Sequence, residues 1–352
     1  MDTAGIITTT AQSLSGYVAD TIHNGSVLPA RFMTKPVGWD EGLYMQQPIQ
    51  VTEDSQGGDF VGMPVFGVSA VNTDVNMKWL AKGKWQPIVV PSVEVAHNQT
   101  KAGVIKLVTR KMDVARNAMA DKIATTLTGL GLGDAIEGLD LMTDDSALSS
   151  TYGTLSRTTY GAVINGQSNS VATLTLTAIG TQFDLCTPAN SGEGTTLSLT
   201  TKTIWGFVES LLDPKTREMY QNVPTYVSPY TKNGQAVKAA ELGGASGFTA
   251  IFHQGIPFVK DEKVGTGKTY TLNEGSIDFA SLENIPNLKA IKLRNEVTSG
   301  VYSDTPSPTA FQMTDMMNPY NQLGEIGYIV AYGNLINRKP NRSGVITDTT
   351  GI

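Results

Sequence analysis

A stripe of apolar side chains in mid-chain constrains this sequence more than any other feature. Val108, Met112, Ala115, Met119, Ile123 and Leu127 follow one another at intervals of three or four, the spacing that places side chains on one face of an α-helix. Lys111, Asp113, Arg116, Asn117, Asp121 and Lys122 fall mostly on the other side. Gly129, Gly131 and Gly133 supply the stop, because glycine readily takes the left-handed conformation that ends helices. The pattern predicts a helix over about residues 108–129, long enough to be a spine of the fold, with its methionines packed in a core.

The chain around that helix has a different character. From Glu41 to about Val108 it is mostly extended, because MQQPIQV, FVGMPVFGVSAV, WQPIVVPSVEV and AGVIKLV are short β-branched runs punctuated by Gly, Pro and Asn. Residues 1–40 alternate small polar and short apolar pieces with no sustained period, and they read as an N-terminal arm that needs a surface to lie on. Beyond the helix come AIEGLDLM, the polar stretch TYGTLSRTTYGAVINGQ at 151–167, and VATLTLTAIGTQFDL, which reads as a strand with alternating threonines. A second helix is expected from about Thr201, with Trp205, Val208, Leu211 and Leu212 on one face and Asp213-Pro214 closing it. PTYVSPY, FTAIFHQGIPFVKDE and KTYTLNE read as short strands around turns, and GYIVAYGNLINRKPN as a longer one. The class expected is α+β with extended arms.

Composition narrows the function. At 352 residues the chain can hold two or three compact units, at about 100–200 residues per domain. Lys and Arg number 26 against 32 Asp and Glu, for a net charge of −6 and a pI near 5.2, which argues against a broad basic face for nucleic acid. Cys186 is the single cysteine, so no intrachain disulfide forms and a reducing cytosol is the natural home. No run approaches the ~18 apolar residues that cross a bilayer. The start MDTAGIITTTAQSL has neither a basic n-region nor a long apolar core, so neither a membrane nor conventional secretion is expected.

The chemical inventory is thin. His23, His97 and His253 have no Cys, His or carboxylate at ligand spacing, so no metal site is expected. Cys186 in DLCTP has no nucleophile signature and reads as a buried inert thiol. VGTGKTY at 264–270 ends like a phosphate-binding loop, but Glu262 stands where that motif needs glycine. Its flanks VKDE and TYTLNE look like two strands joined by a Gly-Thr-Gly turn. Asp144-Asp145 and Asp261-Glu262 lack calcium-loop spacing and read as solvated turns. The expectation is a non-enzyme with no cofactor. The stretch 151–167, with no acid, one arginine, four threonines and two tyrosines, either holds another molecule or is a well-solvated crossing.

Several strings, in this order, resemble the major capsid proteins of tailed bacteriophages, a family whose fold encapsulin shells share. VNMKWLAKGKW running into VEVAHNQTKAGVIKLVTRKMDVARNAMADKI is similar to the passage where the far strand of the family's extension loop returns and enters its spine helix. IEGLDL followed by TYGTLSRTTYG is similar to its Gly-Leu strand and threonine-, tyrosine- and glycine-bearing loop, although that loop often has a second glycine where this chain has Thr154. GIPFVKDEKVGTGKTYTLNE is similar to the strand, turn and strand that often closes its apical domain, and IVAYGNLINRKPNRSGVI resembles its terminal strand. The resemblance covers roughly residues 30–346.

The resemblance implies an N-terminal arm at 1–40, an extension-loop hairpin at 41–100, and a peripheral domain with the spine helix at 101–200. An axial domain at 201–305 and a return with a tail at 306–352 would complete the subunit. It implies self-assembly through pentamers and hexamers into an icosahedral phage head around double-stranded DNA, in the host bacterial cytoplasm. Portal, scaffolding and decoration proteins would be partners, and contact with DNA weak and non-specific. Apolar residues of the extension loop, including Ile49, Val51, Phe60, Met63, Val65 and Phe66, exceed what a two-stranded arm can bury, so they are expected to seek a neighbouring subunit. The expected inter-subunit residues are Phe60, Phe66, Trp79, Lys82, Lys84, Trp85, Tyr152, Arg157 and Tyr160. Lys82 and Lys84 would bridge to a neighbouring peripheral domain. Arg157 would meet a carboxylate of another copy, or else the loop bonds only within its own domain. Three alternatives stand beside the phage head: an encapsulin-like compartment, a tail or decoration subunit, which would lack the long mid-chain helix, and an enzyme using unrecognised Thr, Tyr or Asp groups.

Overall fold

The computed structural model describes residues 26–33, 36–39, 42–52, 59, 61–62, 72–97, 100–187, 193–212, 227–232, 235–238, 250–282, 288–291, 311–320 and 323–348. In chain order the elements are α1 (Val27–Phe32), β1 (Val37–Trp39), β2 (Tyr44–Gln50), β3 (Asp74–Leu80), β4 (Lys82–Pro91), α2 (Ser92–His97) and α3 (Lys101–Leu127). Next come α4 (Leu139–Met142), β5 (Thr151–Tyr152), β6 (Leu155–Ser156), α5 (Arg157–Ile164), β7 (Gln167–Val171), α6 (Leu176–Cys186), β8 (Leu197–Thr200) and α7 (Lys202–Leu211). The remaining strands are β9 (Val227–Lys232), β10 (Gln235–Lys238), β11 (Ala250–His253), β12 (Ile256–Lys260), β13 (Lys268–Leu272) and β14 (Ile277–Leu282). They are followed by β15 (Leu288–Ile291), β16 (Phe311–Thr314), β17 (Gly324–Asn337) and β18 (Gly344–Asp348).

The spine helix α3 starts earlier than its apolar stripe announces. Thr100 caps it by accepting the Gly103 N–H, which satisfies one of the open donors of the first turn. Leu107, Ala115, Met119, Ile123 and Leu127 are buried along one side. After Thr128 the chain turns through Gly131, whose φ is +64 and where a Cβ would strike the Ile136 carbonyl oxygen. Only glycine fits there.

Two six-stranded sheets organise the rest. In the first, β17 is the central strand, antiparallel to β4 over Gly324–Gly333, to β14 over Gly333–Asn337 and to β16 at Ile329 and Val330. β1 lies parallel to β14, and β15 pairs β16. The second sheet has the order β11-β12-β8-β13-β18-β7. Its buried strands contribute Leu197, Leu199, Val259, Tyr270 and Leu272 to a large core shared with α3 and the first sheet. Phe258 and Ile346 join a smaller core with α6 and α7 built on Ile179, Phe183, Ile204, Trp205 and Val208. β2 and β3 form a separate antiparallel ribbon, with Tyr44 opposite Leu80 and Gln50 opposite Asp74.

Five expectations change. AGVIKLV and the end of WQPIVVPSVEV, read as extended, are helical: the first lies inside α3 behind its Thr100 cap, and the second forms α2. Val171–Leu185 is not one strand: β7 ends at Val171, Thr175 caps α6, and the helical spacing of Ile179, Phe183 and Cys186 overrides the alternating threonines. VKDE and KTYTLNE are not a hairpin, because β8, all four of whose residues are buried, lies between β12 and β13. LDLM forms the one-turn helix α4 rather than a strand. Part of the expected arm belongs to the body. Val27, Leu28, Phe32 and Met33 are buried in the large core, and Asp261 accepts the Val27 N–H and the Ser26 hydroxyl at 2.8 Å each. Arg31 makes a two-pronged pair with Glu274 at 2.7 and 2.6 Å. The second predicted helix, by contrast, starts where expected, with Thr201 as its cap; its predicted closing pair at 213–214 lies outside the described residues.

Candidate assembly surface

The ribbon of β2 and β3 is where contacts with a neighbour were expected, yet at its root it packs on its own subunit. Ile49, Met77 and Trp79 point inward into the large core, and Trp79 is only 1% exposed. Trp79 meets the Tyr152 ring edge-on at 6.0 Å. Residues with odd numbers on both strands face the body, while Tyr44, Gln46, Lys78 and Leu80 face away. Ile49 and Trp79 are therefore not free for another copy. Val51 is half-buried against the same core. Phe60, Met63, Val65 and Phe66 lie outside the described residues.

Lys82 and Lys84 are also engaged within the chain. Lys82 pairs with Glu137 at 3.4 Å and donates to the Gly131 carbonyl. Lys84 donates to the Lys122 carbonyl and the Thr126 hydroxyl on α3. Burial pushes the Lys84 ammonium below its ordinary pKa, and neighbouring Lys122 adds to this. Burial pushes the Glu137 carboxyl up, partly offset by Lys82. These contacts fasten β4 and the turn after α3 to one another, in place of the bridge to a neighbouring domain.

The stretch 151–167 folds into a small hairpin, β5 and β6, and the helix α5, so it is an element in its own right. Arg157 is its keystone. The residue is 1% exposed, and its guanidinium donates to the carbonyls of Leu141, Asp144 and Ile164 at 2.5, 2.7 and 2.8 Å. Its Nε lies 3.7 Å from an Asp144 carboxylate oxygen, and its ζ carbon sits 5.3 Å from the centre of the Tyr152 ring. Burial works to lower the pKa of Arg157, and Asp144 opposes it. Its partners belong to its own chain, which corrects the expectation of a carboxylate on another copy. Tyr152 is buried as well, its hydroxyl accepting the Asn337 N–H at 2.9 Å. Tyr160 is half-buried against the core, at a kink inside α5.

The acidic pairs differ from expectation too. Asp144 is 4% exposed and accepts the N–H groups of Leu148 and Ser149 at 2.9 Å each, and Asp261, at 2% exposure, is the cap of α1 described above. They are buried acceptors rather than solvated turns. Lys268, in the phosphate-loop-like string, pairs with Asp140 at 2.7 Å, and the same carboxylate oxygen accepts the Tyr270 hydroxyl.

Among the described residues of the expected set, one is open to a neighbour. Trp85 on β4 is 60% exposed and packs edge-on against Tyr328 at 5.8 Å. Directly opposed residues of antiparallel strands point to the same face, and Trp85, Pro87 and Val89 oppose Val330, Tyr328 and Ile326. Met317 bridges to Ile326, and it and Val89 are exposed. The other face of β4 is fully occupied: Ile88 and Val90 are buried, and Lys122 of α3 donates to Gln86 at 2.6 Å. The sheet thus turns an apolar face outward on the side away from α3. Among the described residues β4 pairs with β17 alone, and it carries Pro87 and Pro91, which lack the N–H that another strand would need. A partner here would meet side chains rather than backbone. The part of Val89 and Tyr328 was missed in the sequence, although WQPIVV is apolar at both parities, the mark of a strand with partners on both sides.

No protein-family model matches the chain, and no curated protein matches it. Solved structures do. The capsid asymmetric unit of cyanophage A-1(L) superposes with a TM-score of 0.62 at 16% identity, covering 95% of each chain. This is the phage-capsid fold. The same fold is shared by a structure from Mycobacterium phage Adephagia, with a TM-score of 0.52 at 13% identity over 99% of this chain and 98% of that one. The holo-SrpI encapsulin complex from Synechococcus elongatus is similar at a TM-score of 0.51 and 9% identity, over 96% and 94% of the two chains. The expected α+β class, with a spine helix and an extended ribbon, is that of the capsid fold.

Proposed function

We propose that the chain is a structural subunit that self-assembles through pentamers and hexamers into a closed shell, the head of a phage enclosing double-stranded DNA. The observation that carries this role is the conjunction of the capsid fold over nearly the whole chain with an outward apolar face around Trp85, Val89 and Tyr328 that is left open among the described residues. A neighbouring copy is its natural cover, since a head-to-tail contact that closes generates rings. Portal and scaffolding proteins in the host cytoplasm, and decoration proteins on the finished shell, belong to the same role. The net charge of −6 suits a shell whose inward surface touches DNA weakly and without sequence preference. Strongly salt-dependent DNA binding by purified subunits would contradict that part.

The test is electron microscopy with sedimentation of the purified chain, alone and with a candidate scaffolding partner. Closed shells, or rings of five and six, are expected for the natural sequence. Trp85→Lys should leave soluble, folded subunits that no longer assemble, because the side chain contributes little to the subunit's own core. A chain that stays monomeric even with a scaffolding partner would refute the shell role. Protein cargo inside the particles, with no DNA, would shift the role to an encapsulin-like compartment.

A further inference from the structure

A two-stranded ribbon has little stability of its own, so its direction depends on what holds its root. Four contacts do so here. The Lys78 N–H donates to the Gly153 carbonyl at 2.9 Å. Trp79 packs edge-on against Tyr152. Met77 lies so close over Gly153 that a Cβ at that position would come within 3.0 Å of the Met77 Cβ. Asn334 of β17 donates to the Leu80 carbonyl at 3.2 Å.

The surface that receives the ribbon is itself held rigidly from below. Tyr152 is fixed by the Asn337 N–H and by the guanidinium of Arg157. Arg157 is fixed by carbonyls at the end of α4, at Asp144 and at the end of α5. Gly153 has φ +54, a conformation suited to glycine, and a side chain there would press on Met77, with Cβ within 3.0 Å of the Met77 Cβ. The ribbon's direction is thus referred to β17, α4 and α5, which are parts of the core.

We propose that Tyr152 and Gly153 are positioning residues, a seat that fixes the direction in which the β2–β3 ribbon projects and so the geometry in which one copy engages the next. The second half of this statement rests on the shell role; the first does not. Gly153→Val is the direct perturbation. Tyr152→Phe, which keeps the ring but loses the bond from the Asn337 N–H, is the milder perturbation.

Spin labels on cysteines introduced at exposed Gln46 in the ribbon and exposed Thr181 in α6 report the direction in the isolated full-length subunit, since the natural Cys186 is buried. A single narrow distance is expected for the natural seat, and a somewhat broader one centred on the same value for Tyr152→Phe, whose ring has lost the Asn337 bond. In Gly153→Val the narrow peak is lost while the circular dichroism spectrum is unchanged, and particles assembled from it lose their uniform diameter or stop at rings. If Gly153→Val does not fold, Met77→Ala removes the contact from the ribbon side and is expected to lose the narrow peak as well. An unchanged narrow distance in the folded variant overturns the seat. Lost direction with shells of unchanged diameter overturns its link to assembly. Failure of the natural chain to assemble counts against the shell role alone, because the distance measurement still decides the seat.

Discussion

Replacing Arg157 by methionine is expected to lower the stability of the isolated subunit by about 4 kcal/mol. Methionine occupies similar space but donates nothing, so the carbonyls of Leu141, Asp144 and Ile164 lose their donor in a site closed to water. Hydrogen bonds to a charged group contribute about 1.5–3 kcal/mol each, which for three bonds sets a floor near 4.5 kcal/mol. Relief from burying the guanidinium offsets part of that. The Asp144 carboxylate matters less, since it lies 3.7 Å from Nε and already accepts two backbone N–H groups. A double-mutant cycle with Asp144→Asn should therefore return a coupling below about 1 kcal/mol. Arg157→Lys keeps the charge but loses the planar fork, and should cost about 2 kcal/mol. Urea unfolding followed by tryptophan fluorescence is a suitable assay, because Trp79 touches Tyr152, which in turn touches Arg157. A loss under about 1 kcal/mol for Arg157→Met would show that the carbonyls do not depend on the guanidinium. A large coupling to Asp144 would show that the ion pair dominates instead.

Thr154 follows Gly153 at the tip of the β5–β6 hairpin with φ +66, a conformation that costs a β-branched residue about 1–2 kcal/mol; Thr154→Gly should raise the thermal midpoint, and a fall would contradict the strain. His253 is held below its ordinary pKa by burial, opposed by a bond to the Leu176 backbone. A depressed folded value means that its contribution to stability is complete above the unfolded value of about 6.5 and is lost as pH falls through the folded one. The natural chain should therefore lose stability on acidification below that point more than His253→Phe does, as read by urea unfolding across the pH range. Asp261→Ala removes the cap of α1 and should cost about 1–2 kcal/mol, with faster proteolytic release of the segment before β1; unchanged proteolysis would mean that the apolar contacts of α1 suffice.

The spine helix was legible because its stripe from Val108 to Leu127 carries a period over enough residues, and β2 and β4 because MQQPIQV and WQPIVV are short apolar runs between turns; AGVIKLV, read the same way, belongs to the helix. Their cores were not equally legible. The sequence shows that Trp79 and Trp85 are aromatic and near the ribbon's end, but not that Ala81 stands between strands of opposite parity, so that Trp79 turns inward and Trp85 outward. Arg157 in an acid-free stretch suggested a charge seeking a partner elsewhere. Its partners are three carbonyls, which leave no trace in a sequence, and a carboxylate thirteen residues earlier in a pair that read as solvent-facing. β8 was missed because four residues, LSLT, are too few to show alternation and all are buried.

The outward apolar face has a consequence for the order of events during synthesis. Trp85 and Val89 come from β4, and Ile326 and Tyr328 from β17, so the face does not exist until strands from distant parts of the chain have both left the ribosome. At about 5–20 residues per second the second half follows the first by tens of seconds. Neighbouring nascent chains on one messenger then have no finished platform on which to stick to one another. A chain that stops before β17 lacks both this face and the Asn334 and Asn337 contacts that hold the ribbon's root. On the proposed shell role, such a fragment would fail to join a neighbour instead of being built into a shell as a flaw.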